Sequence, residues 1–462
     1  MPHHPFNYTS LSDLKHDIAV RKLAIDLDTD FSVFSRRVPI GHTAAPNAIA
    51  SLPMEGCDSN PDGSPSESVF RRYRRIARGG AGLIWAEANA VVPEGKANEL
   101  QLMITDKNWQ SFQKLIGEIH ASAAQAFSGE NLAKTHRPVV ILQLTHSGRY
   151  ARPHGHTPAP LVPQRDPLLD PVSGVISDAA IVSDEYLDKL TDRYVKSALL
   201  AKKAGFDGVD IKACHRYLVS ELLAAHTRAG PYGGDFSNRS RFLLQTIKAV
   251  KAAAGNDFII ASRFNVFDAH PYPYGFGIQK DDCMQFDSTE PLRLVQEMIR
   301  AGVQLISNSE GNPYYRYPQI TRPFDTSSQG IPVPEEHQLK SIERLFDFTR
   351  QIQNAARSVP VVGNGYSWLR QFLPYAGAAN LKSGSCSFMG LGREMFAYPQ
   401  APRDIIERGA LDAAQCCITC SCCTQIMRDH GKTGCVIKDK EIYGPMYKKY
   451  RIEAENRRKQ KD

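Results

Sequence analysis

The chain has 462 residues, 42% of them hydrophobic and 23% charged. That is enough for about three domains by length, or for one α/β barrel with insertions, and no run of about 18 apolar residues exists to span a membrane. The net charge of +7 lies largely in the tail from Lys448 to Asp462, seven Lys/Arg against three Asp/Glu, so the rest is ordinary and argues against a nucleic-acid binder.

Residues 1–37 carry no apolar secretory stretch and predict a helical arm in a cytoplasmic protein. Short apolar runs follow at 49–54, 82–88, 139–144, 208–213, 258–264, 305–308, 359–363 and 386–390. Amphipathic patterns predict helices between them over 68–78, 106–126, 184–203, 239–254, 290–301, 336–356 and 369–379, with 395–408 after the last strand. The basic run RRYRRIAR (71–78) fits such a helix, with Tyr73, Ile76 and Ala77 buried and the charges solvated. Eight alternations predict a parallel sheet, either closed as a barrel or open and doubly wound. Eight strands with polar residues at many strand ends favour closure, and no G-x-G-x-x-G follows the first strand. Three long loops (147–182, 266–289 and 311–334) lie on the expected catalytic side. The aromatic runs HPYPYGFG and NPYYRYP suggest ordered, substrate-facing segments.

The most informative stretch is 209–242, VDIKACHRYLVSELLAAHTRAGPYGGDFSNRSRF. An apolar strand ends in Lys212, His215 and Tyr217, which is how barrel enzymes build a site. Other short motifs keep a fixed order along the chain: Pro53-Met54-Glu55, Trp85-Ala86-Glu87-Ala88, Gln143 within LQLTHSGR, Arg263, Gly363-Asn364-Gly365 and Gly390-Leu391-Gly392-Arg393. From about residue 38 to 408 this set resembles the Old Yellow Enzyme family, flavin mononucleotide (FMN) oxidoreductases on a (β/α)8 barrel. The resemblance implies that Pro53, Met54, Glu55, Ala88, Gln143, Arg263, Gly363, Asn364, Gly365, Gly392 and Arg393 hold FMN. Gln143 can give and accept bonds at the pyrimidine edge, and Arg263 sets a cation where reduced flavin gathers charge. Backbone amides at Gly363–Gly365 and Gly392–Arg393 suit a phosphate.

The resemblance also implies that Lys212 and His215 bind the activating oxygen of the substrate and that Tyr217 delivers a proton. Three departures stand out. Lys212 replaces a histidine, Arg216 replaces a glycine, and Glu55 stands where relatives carry Cys, Thr or His. A lysine ammonium polarises a carbonyl as a point charge on a flexible stem, and burial could lower its pKa.

Six of ten cysteines fall between 416 and 435. Cys417-x2-Cys420-x2-Cys423-x11-Cys435 suits a four-iron cluster or a four-thiolate zinc, with Cys416 and Cys422 to spare. It resembles the [4Fe-4S] segment of the larger family branch that includes 2,4-dienoyl-CoA reductase and trimethylamine dehydrogenase. Those relatives continue into a further flavin and dinucleotide domain, which a chain ending at Asp462 is expected to lack. The expected division is an arm (1–37), a barrel (38–410) and a Cys-rich segment with a basic tail (411–462).

The expected activity is hydride transfer from NAD(P)H through FMN to an activated C=C bond of an enone, enoate or enoyl thioester. The alternatives are an amine dehydrogenase or demethylase, and a flavin/iron–sulfur subunit serving a separate electron-transfer flavoprotein or reductase. A small-molecule substrate and a homo-oligomer complete the expectation.

Overall fold

The computed structural model describes residues 4–129, 136–323, 325 and 333–459. An antiparallel hairpin, β1 (Val38–Ile40) and β2 (Thr43–Ala45), precedes the barrel. Eight strands then follow at the places the apolar runs predict: β3 (Ile49–Ser51), β4 (Leu83–Ala90), β5 (Val139–Thr145), β6 (Gly208–Ile211), β7 (Ile259–Phe267), β8 (Leu305–Glu310), β9 (Val361–Gly363) and β10 (Phe388–Leu391). They pair in the closed order β10-β3-β4-β5-β6-β7-β8-β9, every pair parallel. The expected (β/α)8 barrel is therefore present. Helices cover the outside of such strands and side chains fill the inside, so the strands read as unbroken apolar runs.

The register slips between Ala86 and Asn89 in β4 and between Asn265 and Phe267 in β7. Such bulges re-aim side chains at the end of a strand. Both lie toward the end where Lys212, Arg263 and Glu310 emerge.

Six outer helices match their predicted windows, among them Asp184–Ala204, which Ser183 caps at its start and left-handed Gly205 ends. Two predicted helices break. Over 369–379 a 3-10 segment Tyr366–Phe372 kinks at Arg370 before helix Leu373–Lys382, which places Pro374 in a first turn where its missing N–H costs nothing. Over 395–408 the chain divides into Glu394–Ala397 and Ala401–Arg408 around Pro399.

The N-terminal residues carry helix Leu11–Val20 and lay Phe6 and Tyr8 edge-on against Trp368 at 5.3 and 6.1 Å. Beyond residue 411 come helices Cys422–Arg428 and Lys440–Lys459. This segment docks on helix Glu67–Arg78, where Asp439 accepts from Arg71 (2.8 Å) and Arg75 (2.5 Å). The solvated face expected for 71–78 is corrected here. Arg72 is buried between Asp58 and Glu87, and its neighbours hold the C-terminal segment, because that helix is covered on both sides. Among the described residues no helix is long and apolar enough to cross a membrane.

Candidate active site

At the C-terminal end of the barrel, Asp210 of β6 organises its neighbours. Its carboxylate accepts from Gln143 Nε2 (2.6 Å), Trp85 Nε1 (2.9 Å) and the Arg263 backbone N–H (2.8 Å). Burial pushes its carboxyl up to about 6 despite these donors. Gln143 and Arg263 are thereby aimed into a cavity of about 1230 Å³, part of it open to solvent. Leu52, Pro53, Met54 and Trp368 give it apolar walls. Glu310, at the end of β8, lines it too, and burial raises its carboxyl to about 7 although Asn308 and Asn364 donate to it.

Of the residues expected to hold FMN, Pro53, Met54, Glu55, Gln143, Arg263, Asn364, Gly365, Gly392 and Arg393 line this cavity, as do Lys212 and His215. Ala88 and Gly363 stay within their strands and do not line it. The cavity suits the cofactor. Apolar walls flank a slot, and Arg263 Nε, Arg322 Nε and Arg393 Nη1 are buried there without partners, so the site has cations to offer a phosphate and a pyrimidine edge. Arg322, on the loop after β8, carries no motif and escaped the sequence reading. Burial first, then facing Arg393, pushes its guanidinium below its ordinary value, as expected of two cations awaiting an anion.

The substrate side forms where β6 runs out. Lys212 is buried, with Nζ 3.1 Å from Glu55 Oε1 and 3.9 Å from the centre of the Tyr217 ring. The Tyr217 hydroxyl donates to Glu55 at 3.3 Å and lies 2.9 Å from the Tyr314 hydroxyl. Burial, then Glu55, pushes the Tyr217 phenol well above its ordinary value, so it stays protonated. Burial also drives His215 well below the usual imidazole range, helped by Arg263 and Lys212. The ring is neutral, with Nε2 3.0 Å from Ser309 Oγ.

His215 and Arg216 both take left-handed backbone (φ 66° and 58°), at a cost of roughly 1–2 kcal/mol each. The family pattern meets this turn with a glycine; here Arg216 is anchored instead. Its guanidinium reaches Asp268 (2.8 Å), Glu221 (3.4 Å) and Asp166 (3.6 Å), all buried, while Arg149 shares Glu221 (2.6 Å). Glu55 is fixed from its neighbour. The Gly56 N–H donates to Glu87 at 2.6 Å, and the Gly56 carbonyl accepts from the Thr433 N–H at 2.9 Å. A Cβ at position 56 would strike the Arg72 guanidinium, so a larger residue there would push Arg72 off Asp58 and Glu87.

The two aromatic loops part company. NPYYRYP supplies Tyr314 to the cavity wall, whereas HPYPYGFG does not reach it, and part of the 311–334 loop lies outside the described residues. Arg428, in the Cys-rich segment, also reaches the cavity and had no motif to mark it.

Cys417, Cys420, Cys423 and Cys435 line one smaller, mostly apolar cavity, and Cys423 and Arg393 border the large cavity as well. Backbone N–H groups of Thr419 and Lys438 donate to the sulfurs of Cys417 (3.4 Å) and Cys435 (3.2 Å). Cys416 packs instead with Tyr398 and Ala401. Among the described residues no three His, Cys, Asp or Glu side chains converge closely enough to hold a single ion.

The chain matches the NADH:flavin oxidoreductase / NADH oxidase family over residues 37–271. It is 27% identical over 390 residues to an NADH oxidase of Thermoanaerobacter brockii, covering 83% of this chain and 52% of that one. A structure of 2-naphthoyl-CoA reductase with 2-naphthoyl-CoA superposes with a TM-score of 0.69 at 18% identity, covering 90% and 58% of the two chains. Histamine dehydrogenase from Rhizobium sp. 4-9 gives 0.64 at 19%, covering 89% and 53%. The chain spans about half the length of the curated relatives it matches first.

Proposed function

This chain is an FMN oxidoreductase of the NADH:flavin oxidoreductase / NADH oxidase family, and from that premise we propose that it reduces an activated C=C bond at the expense of NAD(P)H. The observation carrying this reading is the pairing of Lys212 with Glu55 on the wall of a cavity that suits FMN, with Tyr217 packed behind that wall in contact with both. Bound FMN would supply the hydride. Lys212 would hold the carbonyl oxygen of the acceptor and draw electron density from the double bond. That oxygen must compete with Glu55 for the ammonium. Tyr217 would give its proton to the carbon on the opposite side. Neutral His215, steadied by Ser309, would donate a second hydrogen bond to the same oxygen.

Gln143, Arg263, Arg322, Asn364, Gly365, Gly392 and Arg393 would hold the cofactor, with Pro53 and Met54 as walls. Ala88 and Gly363 would support it only through the backbone. Cys417, Cys420, Cys423 and Cys435 would hold a [4Fe-4S] cluster that relays single electrons. What supports a cluster is the gathering of all four sulfurs around one mostly apolar cavity together with their spacing. On this reading the arm, barrel and Cys-rich segment are three functional parts divided near residues 37 and 410, acting in the cytoplasm as a homo-oligomer.

A second reading has one observation in its favour: a carboxylate, Glu55, faces the site and would attract a substrate amine. Anaerobic purified protein given NAD(P)H and either 2-cyclohexenone or a tertiary amine separates the two. Steady enone reduction supports the first. Reduction of the protein by the amine alone would replace it. Rapid NAD(P)H oxidation that needs an added electron acceptor and no enone would favour an electron-transfer subunit.

Two results bear on the cofactor site. Arg263→Ala should lower retained FMN or its reduction potential, because the cation at the pyrimidine edge is lost; unchanged content and potential would remove Arg263 from the site. Glu310 is near half-ionised at pH 7 and faces the same cavity. An anionic cofactor raises its pKa further, so FMN binding takes up a proton. Affinity should therefore be highest below pH 7 and fall as pH rises above about 7, and Glu310→Gln should flatten that decline. Equal steepness in both proteins by equilibrium dialysis counts against the assignment.

A further inference from the structure

Beyond Tyr314 lies a second cavity, about 860 Å³ with its open mouth, bordered by Glu55, Tyr150, Arg152, Tyr314, Arg428 and His430. It shares Glu55, Tyr314 and Arg428 with the first, so the two meet where Lys212 and Tyr217 are held. Its charge is one-sided. Glu55 is already matched by Lys212. Arg428 donates to the Pro313 carbonyl and keeps a buried Nε without a partner. Neither Arg152 nor Arg428 forms an ion pair with a described residue. Burial also pushes His430 down to about 4, so its imidazole is neutral and adds no charge of its own. Two unmatched guanidiniums in a half-enclosed chamber incur a desolvation penalty that a bound anion would relieve.

We infer that this chamber receives the far end of the substrate, and that this end carries a carboxylate or phosphate taken by Arg152 and Arg428 while the double bond lies at Lys212 and Tyr217. The two cations come from separate parts of the chain, Arg152 from the loop after β5 and Arg428 from the cysteine-bearing helix. Charge at a distance from the chemistry selects substrates without altering the reacting group. This inference rests on the C=C reading above.

The test uses oxidised holoenzyme without a hydride donor, so that binding is read without turnover. Three cinnamaldehydes with a para carboxylate, phosphate or carboxamide are titrated by calorimetry, the carboxylate and carboxamide being matched in shape. The two anions should bind about tenfold or more tighter than the carboxamide. Arg152→Gln should erase most of that preference while leaving carboxamide binding and FMN content as they were; Arg428→Gln should erase it too, and Arg428→Lys should restore part of it. The carboxylate-to-phosphate ratio identifies which anion the chamber prefers. Equal binding of all three by the native protein overturns the inference. So does loss of FMN in Arg428→Gln together with an unchanged preference in Arg152→Gln, since Arg428 would then belong to the cofactor. Adding NADH and, in parallel, NADPH afterwards tests the underlying reading separately. If the carboxamide is reduced but no charge preference exists, only the inference falls. If the preference exists but none of the three is reduced, only the C=C reading falls.

Discussion

Replacing Tyr217 by Phe is expected to slow the reaction of the reduced enzyme with an enone by about a hundredfold or more, while reduction by NAD(P)H stays near its native rate. The phenol lies in contact with Lys212 and donates to Glu55. Burial and that carboxylate keep it protonated throughout the neutral range. By itself the Lys212 cation would stabilise a phenolate. In the structure Glu55 offsets that cation at 3.1 Å, so on the proposed mechanism the proton lost by Tyr217 would have to be replaced, and the Tyr314 hydroxyl at 2.9 Å lies where it would relay one from solvent. Tyr314→Phe should therefore show a smaller slowing of the same step. Stopped-flow measurement of the two half-reactions decides the matter. Equal slowing of both, or of neither, would leave Tyr217 as a packing residue, with the proton taken from His215, Lys212 or water.

Cys423→Ala should reduce iron and sulfide in anaerobically prepared protein from about four of each per chain to near zero. It should also weaken FMN retention, because Cys423 and Arg393 border both cavities. Loss of the metal should expose 411–459 to limited proteolysis, since four thiols without a cluster make a poor core for that segment. Cys416→Ala should keep its iron, because Cys416 packs against Tyr398 and lies outside the cavity that the other four share. One zinc per chain with no iron, in the native protein, would leave the segment as a structural clip and end the electron-relay reading.

The barrel was legible because buried parallel strands produce apolar runs whatever else the sequence does, and all eight runs became strands. The ordered motifs led to Gln143, Arg263, Lys212 and His215, which line one cavity because each sits at or just past the end of such a run. Pairing was not legible. Nothing local says that Glu55 would meet Lys212, that Arg216 would sink into Asp268 and Glu221, or that Arg72 would leave its basic run for Glu87. The Glu55–Lys212 and Arg216–Asp268 contacts join residues 157 and 52 apart in the chain, and only the closed barrel brings them together. Arg322 and Arg428 were missed for the same reason, being cations in irregular or C-terminal segments that gain meaning from the cavity they face. The broken helices near 370 and 399 had a local signal in Pro374 and Pro399 that amphipathic periodicity outweighed.

The hydrogen bond from Thr433 to Gly56, with Asp439 seated on Arg71 and Arg75, has a bearing on the order of assembly. During synthesis the strands are all made before the cysteines emerge, so a barrel can close while its mouth is still bare. Glu55 then has its barrel-side support from Glu87 but lacks its partner from the far end of the chain. A nascent or metal-starved molecule would hold a flavin pocket with one wall missing, open to water and oxygen. Maturation of the cysteine segment would then be the step that turns a flavin carrier into a shielded catalyst.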